Sequence, residues 1–298
     1  MTMPNFIVIG AGKSGTTALH QYLRQHPDVF MSRQKELRFF PFEEQPADFR
    51  GPGDMADMET AIKKIHDYRA CFAPGANYPA RGEASPIYLY YSGTAQRIRH
   101  HIPDTKLIAI LRHPVDRAYS HFLMKKRDLS ETLSFKDALA AEKQRIADGW
   151  SHTWHYRSRG FYAEQLQPYL DLFKREQLKI YLYEDYLADP VAFMQDIFHF
   201  LNVDHTFVPD MSMRHNESKL PRSRSLQEFL AERRLAKDLF KPLVPNGWSK
   251  RVGDHLRRKN LSKPRLSEKI RRDLIDIYRP DIIRLQDMLQ RDLTHWLR

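Results

Sequence analysis

Residues 5–17, Asn-Phe-Ile-Val-Ile-Gly-Ala-Gly-Lys-Ser-Gly-Thr-Thr, constrain what this chain can fold into more than any other stretch. The apolar run Phe6 to Ile9 has the length and character of a buried strand. It stops at a glycine-rich loop holding Lys13, and a helical pattern follows from Thr16 to Arg24. Strand, glycine loop and helix in that order aim several backbone N–H groups and a helix N-terminus at one point, where a phosphate-like anion is held. Lys13 adds a mobile positive charge at the same place.

The alternation continues through the first half of the chain, as expected of a parallel sheet flanked by helices. The first helix ends before His26-Pro27. Helical periodicity returns over Glu59–Phe72, and Pro74, Gly75, Pro79 and Gly82 mark a loop. Arg81–Ala84 has a weak strand pattern and Lys106–Leu111 a strong one, with Pro114 suited to the first turn of a helix reaching about Lys126. Ser134–Ala147, Gly160–Lys174 and Pro190–Leu201 read as helices, and Lys179–Tyr183 as the last strand. Beyond about Asp204 the strands stop, and proline-punctuated loops alternate with helical stretches at Ser225–Ala236 and Ser267–Gln290. No linker rich in glycine or serine separates two units. The expectation is one domain over residues 1–298: an α/β core to about 204, then a basic, mainly helical extension from about 205 to 298.

At 298 residues and 42% hydrophobic content the chain can bury one large core. Cys71 is its only cysteine, which excludes an intrachain disulfide and a cysteine-based metal cluster and fits a reducing compartment. No basic segment followed by a long apolar run opens the sequence, and no run approaches the ~20 residues of a membrane span. A cytoplasmic protein without a membrane span is expected. The formal charge of +11, from 48 Lys and Arg against 37 Asp and Glu, points to an anionic partner without choosing among nucleotide, nucleic acid, acidic glycan and membrane surface.

Gly12-Lys13-Ser14 matches the end of the nucleoside-triphosphate motif G-x-x-x-x-G-K-[ST]. The glycine that motif needs five residues earlier is Ile7, inside the strand. A Mg²⁺-holding carboxylate is also wanted after another strand, yet Leu107–Leu111 is followed by Arg112. Both departures favour an anion bound without Mg²⁺. A Walker-type kinase or NTPase remains as an alternative, and so does a basic nucleic-acid-binding protein. The latter leaves the anion motifs without purpose and lacks any helix-turn-helix, zinc or ribonucleoprotein signature.

Gly12-Lys13-Ser14-Gly15-Thr16-Thr17 resembles the 5′-phosphosulfate loop of sulfotransferases that use 3′-phosphoadenosine 5′-phosphosulfate (PAPS). Leu107-Ile108-Ala109-Ile110-Leu111-Arg112-His113-Pro114, followed by Ser120, resembles the 3′-phosphate half of the same signature. Lys35-Glu36-Leu37-Arg38-Phe39-Phe40 and Glu83-Ala84-Ser85-Pro86-Ile87-Tyr88 are similar to segments of the heparan-sulfate-type and related bacterial members. Asn216 to Ser223 resembles the late basic loop of bacterial members, without the lysine-glycine-arginine core of the animal enzymes. The ending from Arg291 to Leu297 is similar to theirs as well.

The resemblance implies a P-loop-NTPase-like fold and in-line transfer of a sulfuryl group from PAPS to an acceptor hydroxyl or amine, leaving 3′-phosphoadenosine 5′-phosphate (PAP). It implies no metal. Lys13 would stabilise the leaving phosphate and Glu36 would be the general base. Lys13, Ser14, Gly15, Thr16 and Thr17 would hold the phosphosulfate, while Arg112, Ser120, Arg222 and Ser223 would take the 3′-phosphate. The acceptor expected is a glycan, glycolipid or small natural product. Its contacts are sought in residues 129–159 and 211–224, with Glu83, Trp154 and His155 as candidates. His152 and His155 have no third ligand at a recognisable spacing, so surface or substrate contact is expected of them rather than metal.

Overall fold

Five short strands, β1 (Phe6–Gly10), β2 (Val29–Met31), β3 (Ala80–Ala84), β4 (Lys106–Leu111) and β5 (Leu178–Leu182), pair in parallel in the order β2-β3-β1-β4-β5. The computed structural model describes residues 2–44, 48–212, 220–221, 261–262 and 264–298. Alternate residues of β1 enter opposite cores, as a sheet covered on both faces requires. Phe6 and Val8 join the side chains of α1 (Thr16–Leu23), while Ile7 and Ile9 face a larger cluster. That cluster includes α2 (Thr94–His101), α3 (Pro114–Arg127), α4 (Phe135–Ala147) and α5 (Tyr162–Leu172). Behind β5, α6 (Pro190–Leu201) returns to the first face. The chain turns from β1 towards β2 and β3, then crosses to β4 on the other side. The carboxyl end of β1 therefore lies at the switch point where open α/β sheets leave a crevice.

The strong strand patterns at 6–9, 106–111 and 179–183 are found within a residue or two, as are the helices after Lys13, Pro114, Ser134 and Pro190. The weak pattern at Arg81–Ala84 is an interior strand. Gly82 is needed there because a Cβ would stand 2.3 Å from the Phe6 ring. Of the expected helix Glu59–Phe72 only Ile65–Ala70 forms, and a separate short helix, Asp54–Met58, precedes it. Between them the Ile62 N–H donates to the Leu37 carbonyl at 2.9 Å, a tertiary bond that outweighs local periodicity.

The expectation that strands stop beyond Asp204 is corrected by an antiparallel pair, β6 (Leu220–Pro221) with β7 (Leu261–Ser262). Two residues per strand leave no periodic trace. β6 lies beside α3. Arg222, Ser223, the helix expected at Ser225–Ala236 and most of the Asn216–Ser223 loop lie outside the described residues.

The last helix, α7 (Glu268–Leu289), spans the segment expected from Ser267 to Gln290 and packs against α5. Beyond it, the Trp296 indole N–H donates to Glu184 at 3.1 Å, and its fully buried ring lies near His113 and Tyr162. The end of the described chain thus buttresses the turn between β4 and α3. Among the described residues no helix is long and apolar enough to cross a membrane. Trp296→Ala is expected to lower unfolding stability by about 3–5 kcal/mol, as for other buried aromatics, measured by urea titration.

Candidate active site

α3, α4 and α6 each begin under a side-chain cap, from His113, Ser134 and Asp189 respectively. α1 does not. Its N-cap is Gly15, at φ 93°, with no side chain to offer. Its first-turn N–H groups therefore remain open towards a cavity of about 600 Å³ that Gly15, Thr16, Thr17 and Ala18 help to line. A Cβ at Gly15 would also meet the Tyr183 ring at 3.1 Å.

Lys13 enters the cavity from the loop, with its ammonium 3.4 Å from the Met124 sulfur. Burial, followed by the charge of Arg127 and more weakly of Arg112 and Arg159, holds it down at about 8 against the opposing pull of Asp128. Ser14 departs from expectation. It is fully buried, its N–H goes to the Ala11 carbonyl at 3.2 Å, and its side chain does not line the cavity. Its place is in the loop's own fold.

The second strand end supplies Arg112 and Ser120. The Arg112 guanidinium donates to the Lys13 carbonyl at 3.3 Å and stands 5.1 Å from the centre of the Tyr183 ring. Its own carbonyl accepts from the Tyr162 hydroxyl at 2.9 Å. His113 Nδ1 accepts from Val115 N–H, and Pro114 opens α3. Ser120, two turns along, faces the same cavity as Lys13. A guanidinium occupies the strand end where a triphosphate site needs a carboxylate.

Glu36 lines the same cavity, paired with Lys35 at 2.7 Å and Arg38 at 2.9 Å. Burial pushes its carboxyl up, but the charges and hydrogen bonds of Lys35 and Arg38 prevail and hold it at about 2. Three side-chain-bearing residues of this cavity, Lys13, Glu36 and Arg38, have left-handed backbones, with φ of 73°, 63° and 56°. Conformations of that kind persist only where neighbours over-determine them. Glu36 N–H donates to the Ala84 carbonyl, Arg38 N–H to the Ser85 hydroxyl and Phe39 N–H to the Tyr88 hydroxyl. Ser85, Tyr88 and Tyr68 all donate in turn to the Glu83 carboxylate at 2.6–2.7 Å.

Glu83 therefore does not line the cavity. It is wholly buried beneath the wall, where it anchors the segment that carries Glu36. Trp154 and His155 are corrected in the same way. The Trp154 indole donates to Asp54 at 2.9 Å, and His155 bonds the Tyr90 hydroxyl and the Trp150 carbonyl. Neither faces the cavity, whereas their neighbours His152 and Thr153 do. The short 3₁₀ turn at His152–Trp154 decides which side chains look inward.

Sequence reasoning missed Arg38, His121, Lys125 and Tyr183 as cavity residues, and reached Arg159 only as the end of the stretch searched for acceptor contacts. Ser120, His121, Met124 and Lys125 fall on one helical face, a signal present in the spacing. The Lys125 ammonium stands 4.2 Å from the centre of the Trp154 ring. Burial first, and then Arg159, drives His121 and His152 far below the ordinary imidazole range, so both are neutral at pH 7.

The family model of the sulfotransferase family matches residues 4–207, and the chain belongs to that family. It is similar over its whole length to the crystal structure of a sulfotransferase from Alicyclobacillus acidocaldarius. That likeness has 35% identity, a TM-score of 0.80 and 100% of both chains covered. The membrane-associated sulfotransferase kil1 of Dictyostelium discoideum is 23% identical over 308 residues, covering 77% of this chain and 62% of that protein. Heparan sulfate glucosamine 3-O-sulfotransferase 3B1 of Mus musculus is 28% identical over 222 residues, covering 73% of this chain and 50% of that one. The chain thus spans only part of the length of these two relatives. The α/β architecture, with its parallel sheet between helices, is that of the sulfotransferase fold.

The low value at Lys13 has a measurable consequence. A cation with its pKa near 8 loses its charge as pH rises through that value, so the ligand-free protein is expected to bind small oxyanions progressively more weakly above about pH 8. An NMR titration of the Lys13 ammonium should show a midpoint near 8 that moves upward when an anion is bound.

Proposed function

We propose that this chain transfers a sulfuryl group from PAPS to a hydroxyl or amine of an acceptor. One observation carries the reading: Lys13, Glu36, Arg112 and Ser120, drawn from three separate segments, line a single cavity beside an uncapped helix N-terminus. Membership of the sulfotransferase family supports it.

Gly15, Thr16 and Thr17 receive the 5′-phosphosulfate on backbone N–H groups and threonine hydroxyls. Arg112 grips the 3′-phosphate with a charge-assisted fork, and Ser120 adds a neutral hydrogen bond. The acceptor oxygen or nitrogen forms its bond to sulfur as the bond from sulfur to the bridging oxygen breaks. The electron pair goes to that oxygen on the departing 5′-phosphate, where Lys13 neutralises it. The proton leaves the acceptor for Glu36. Charge stays spread over the peripheral oxygens, so catalysis is positioning and electrostatic stabilisation, as in phosphoryl transfer.

A carboxylate held at about 2 is a weak base while Lys35 and Arg38 grip it. Those two cations line the same cavity. An anionic donor that draws either of them away raises the basicity of Glu36 as the acceptor arrives.

PAP is expected to raise the melting temperature without Mg²⁺, by an amount equivalent to about 2.7 kcal/mol at a hundredfold excess over Kd. Arg112→Ala should weaken PAP binding about 10- to 100-fold, the loss of one charged hydrogen-bonding partner, as read by calorimetry. No stabilisation by PAP would refute the donor assignment. Glu36→Gln should lower transfer to an acceptor by about 10²- to 10⁴-fold while PAP affinity stays within about threefold. Radiolabelled PAPS with a panel of glycan, lipid and phenolic acceptors measures this and identifies the acceptor class.

A further inference from the structure

Arg159 stands where no motif placed a functional group. It is 7% exposed and lines the cavity between the Lys13 loop and the wall that carries Glu36. Its Nη1 donates to the His152 carbonyl at 3.5 Å, the outer limit of a hydrogen bond, and the guanidinium lies 5.8 Å from the centre of the Tyr90 ring. Among the described residues it makes no ion pair, although a buried guanidinium ordinarily sits in a carboxylate fork. Burial and the charge of Arg117 pull it down to about 10, a sign that its charge is poorly compensated.

The loop itself makes room for this side chain. A Cβ at Gly12 would stand 2.5 Å from Arg159 Nη2. Gly12 does not have a positive φ. The guanidinium packs over the open face of this glycine, one residue before Lys13. The segment that delivers Arg159 is fixed from both sides. Glu142 accepts from the Arg157 and Ser158 N–H groups and from the Ser158 hydroxyl, and Gly160 packs so closely on Tyr278 that a Cβ would stand 2.7 Å from its hydroxyl. The cation is therefore preorganised, held over the glycine loop with donors to spare.

We propose that Arg159 is a catalytic residue whose guanidinium, lying over the loop that carries Lys13, clamps the peripheral oxygens of the transferring sulfuryl group. This rests on the PAPS reading above. Lys13 meets charge on the leaving bridging oxygen. Arg159 meets the charge that stays with the sulfuryl oxygens throughout, and it orients them for in-line attack. The group it recognises is present in PAPS and absent from PAP.

The test compares PAPS with PAP by calorimetry in the wild type, Arg159→Gln and Arg159→Lys, with melting temperatures of the ligand-free proteins to verify folding. The wild type is expected to bind PAPS more tightly than PAP. Arg159→Gln should keep its PAP affinity within about threefold and lose the preference for PAPS. Acceptor-free hydrolysis of PAPS should fall about 100-fold, the scale of a lost oxyanion donor. Arg159→Lys, which keeps the charge without the fork, should retain part of both and stands in should the glutamine variant fail to fold. The proposal is overturned if the wild type binds the two nucleotides equally, if the variants keep the preference, or if PAP and PAPS weaken by the same factor. A wild type that binds neither nucleotide removes the donor reading and this proposal together. A wild type that prefers PAPS, with variants that do the same, removes this proposal alone.

Discussion

The uncapped N-terminus of Thr16–Leu23 is the feature on which the rest of the cavity depends. A helix that starts on a glycine at the carboxyl end of a central parallel strand has open N–H groups and no side chain of its own to satisfy them. Anions are favoured there, and the surrounding cations deepen the preference. Lys13, Lys35, Arg38, Arg112, Lys125 and Arg159 line one cavity with the carboxylates Glu36 and Asp128. Such crowding is unfavourable while no anion is present. Burial first, and then the neighbouring cations, lowers Lys13 and Arg159, and the strongly ionised Glu36 is the local counterweight.

A cavity of repelling charges keeps its shape only if its walls are held from behind. Two buried carboxylates do this without facing the cavity. Glu83 gathers the hydroxyls of Tyr68, Ser85 and Tyr88 under the Glu36 segment. Asp54 gathers N–H groups of Gly51 and Ser151, the Ser151 and Thr153 hydroxyls and the Trp154 indole under the wall that carries His152 and Thr153. Buried carboxylates satisfied by several donors are costly to disturb, and such networks hold a unique arrangement. The left-handed backbones of Glu36 and Arg38 persist for this reason.

Much of this is legible in the sequence. The β1 loop and α1 showed themselves because a glycine-rich break between an apolar run and a helical pattern has few other uses. Arg112 and Ser120 were legible as a strand end and a helix face two turns on. Glu83, Trp154 and His155 do not line the cavity; residue type suggests chemistry while orientation decides it. One 3₁₀ turn sends Trp154 inward to Asp54 and leaves His152 and Thr153 to the cavity. Ile62, bonded to Leu37, broke a helix that periodicity alone would have continued.

The sequence by itself determined the strand-loop-helix unit, the second cationic strand end and the α/β class, because each is carried by contiguous residues whose backbone preferences agree. Tertiary structure alone decided that Glu36 and Lys13 line one cavity, that Glu83 lies beneath its wall, and that Arg159 comes to rest on Gly12. Those relations join segments far apart in the chain, and packing distances set them where local propensity cannot. Gly12 shows the difference most clearly. In the sequence it reads as one glycine of an anion-binding loop, and in the fold it is also the surface on which a distant guanidinium packs.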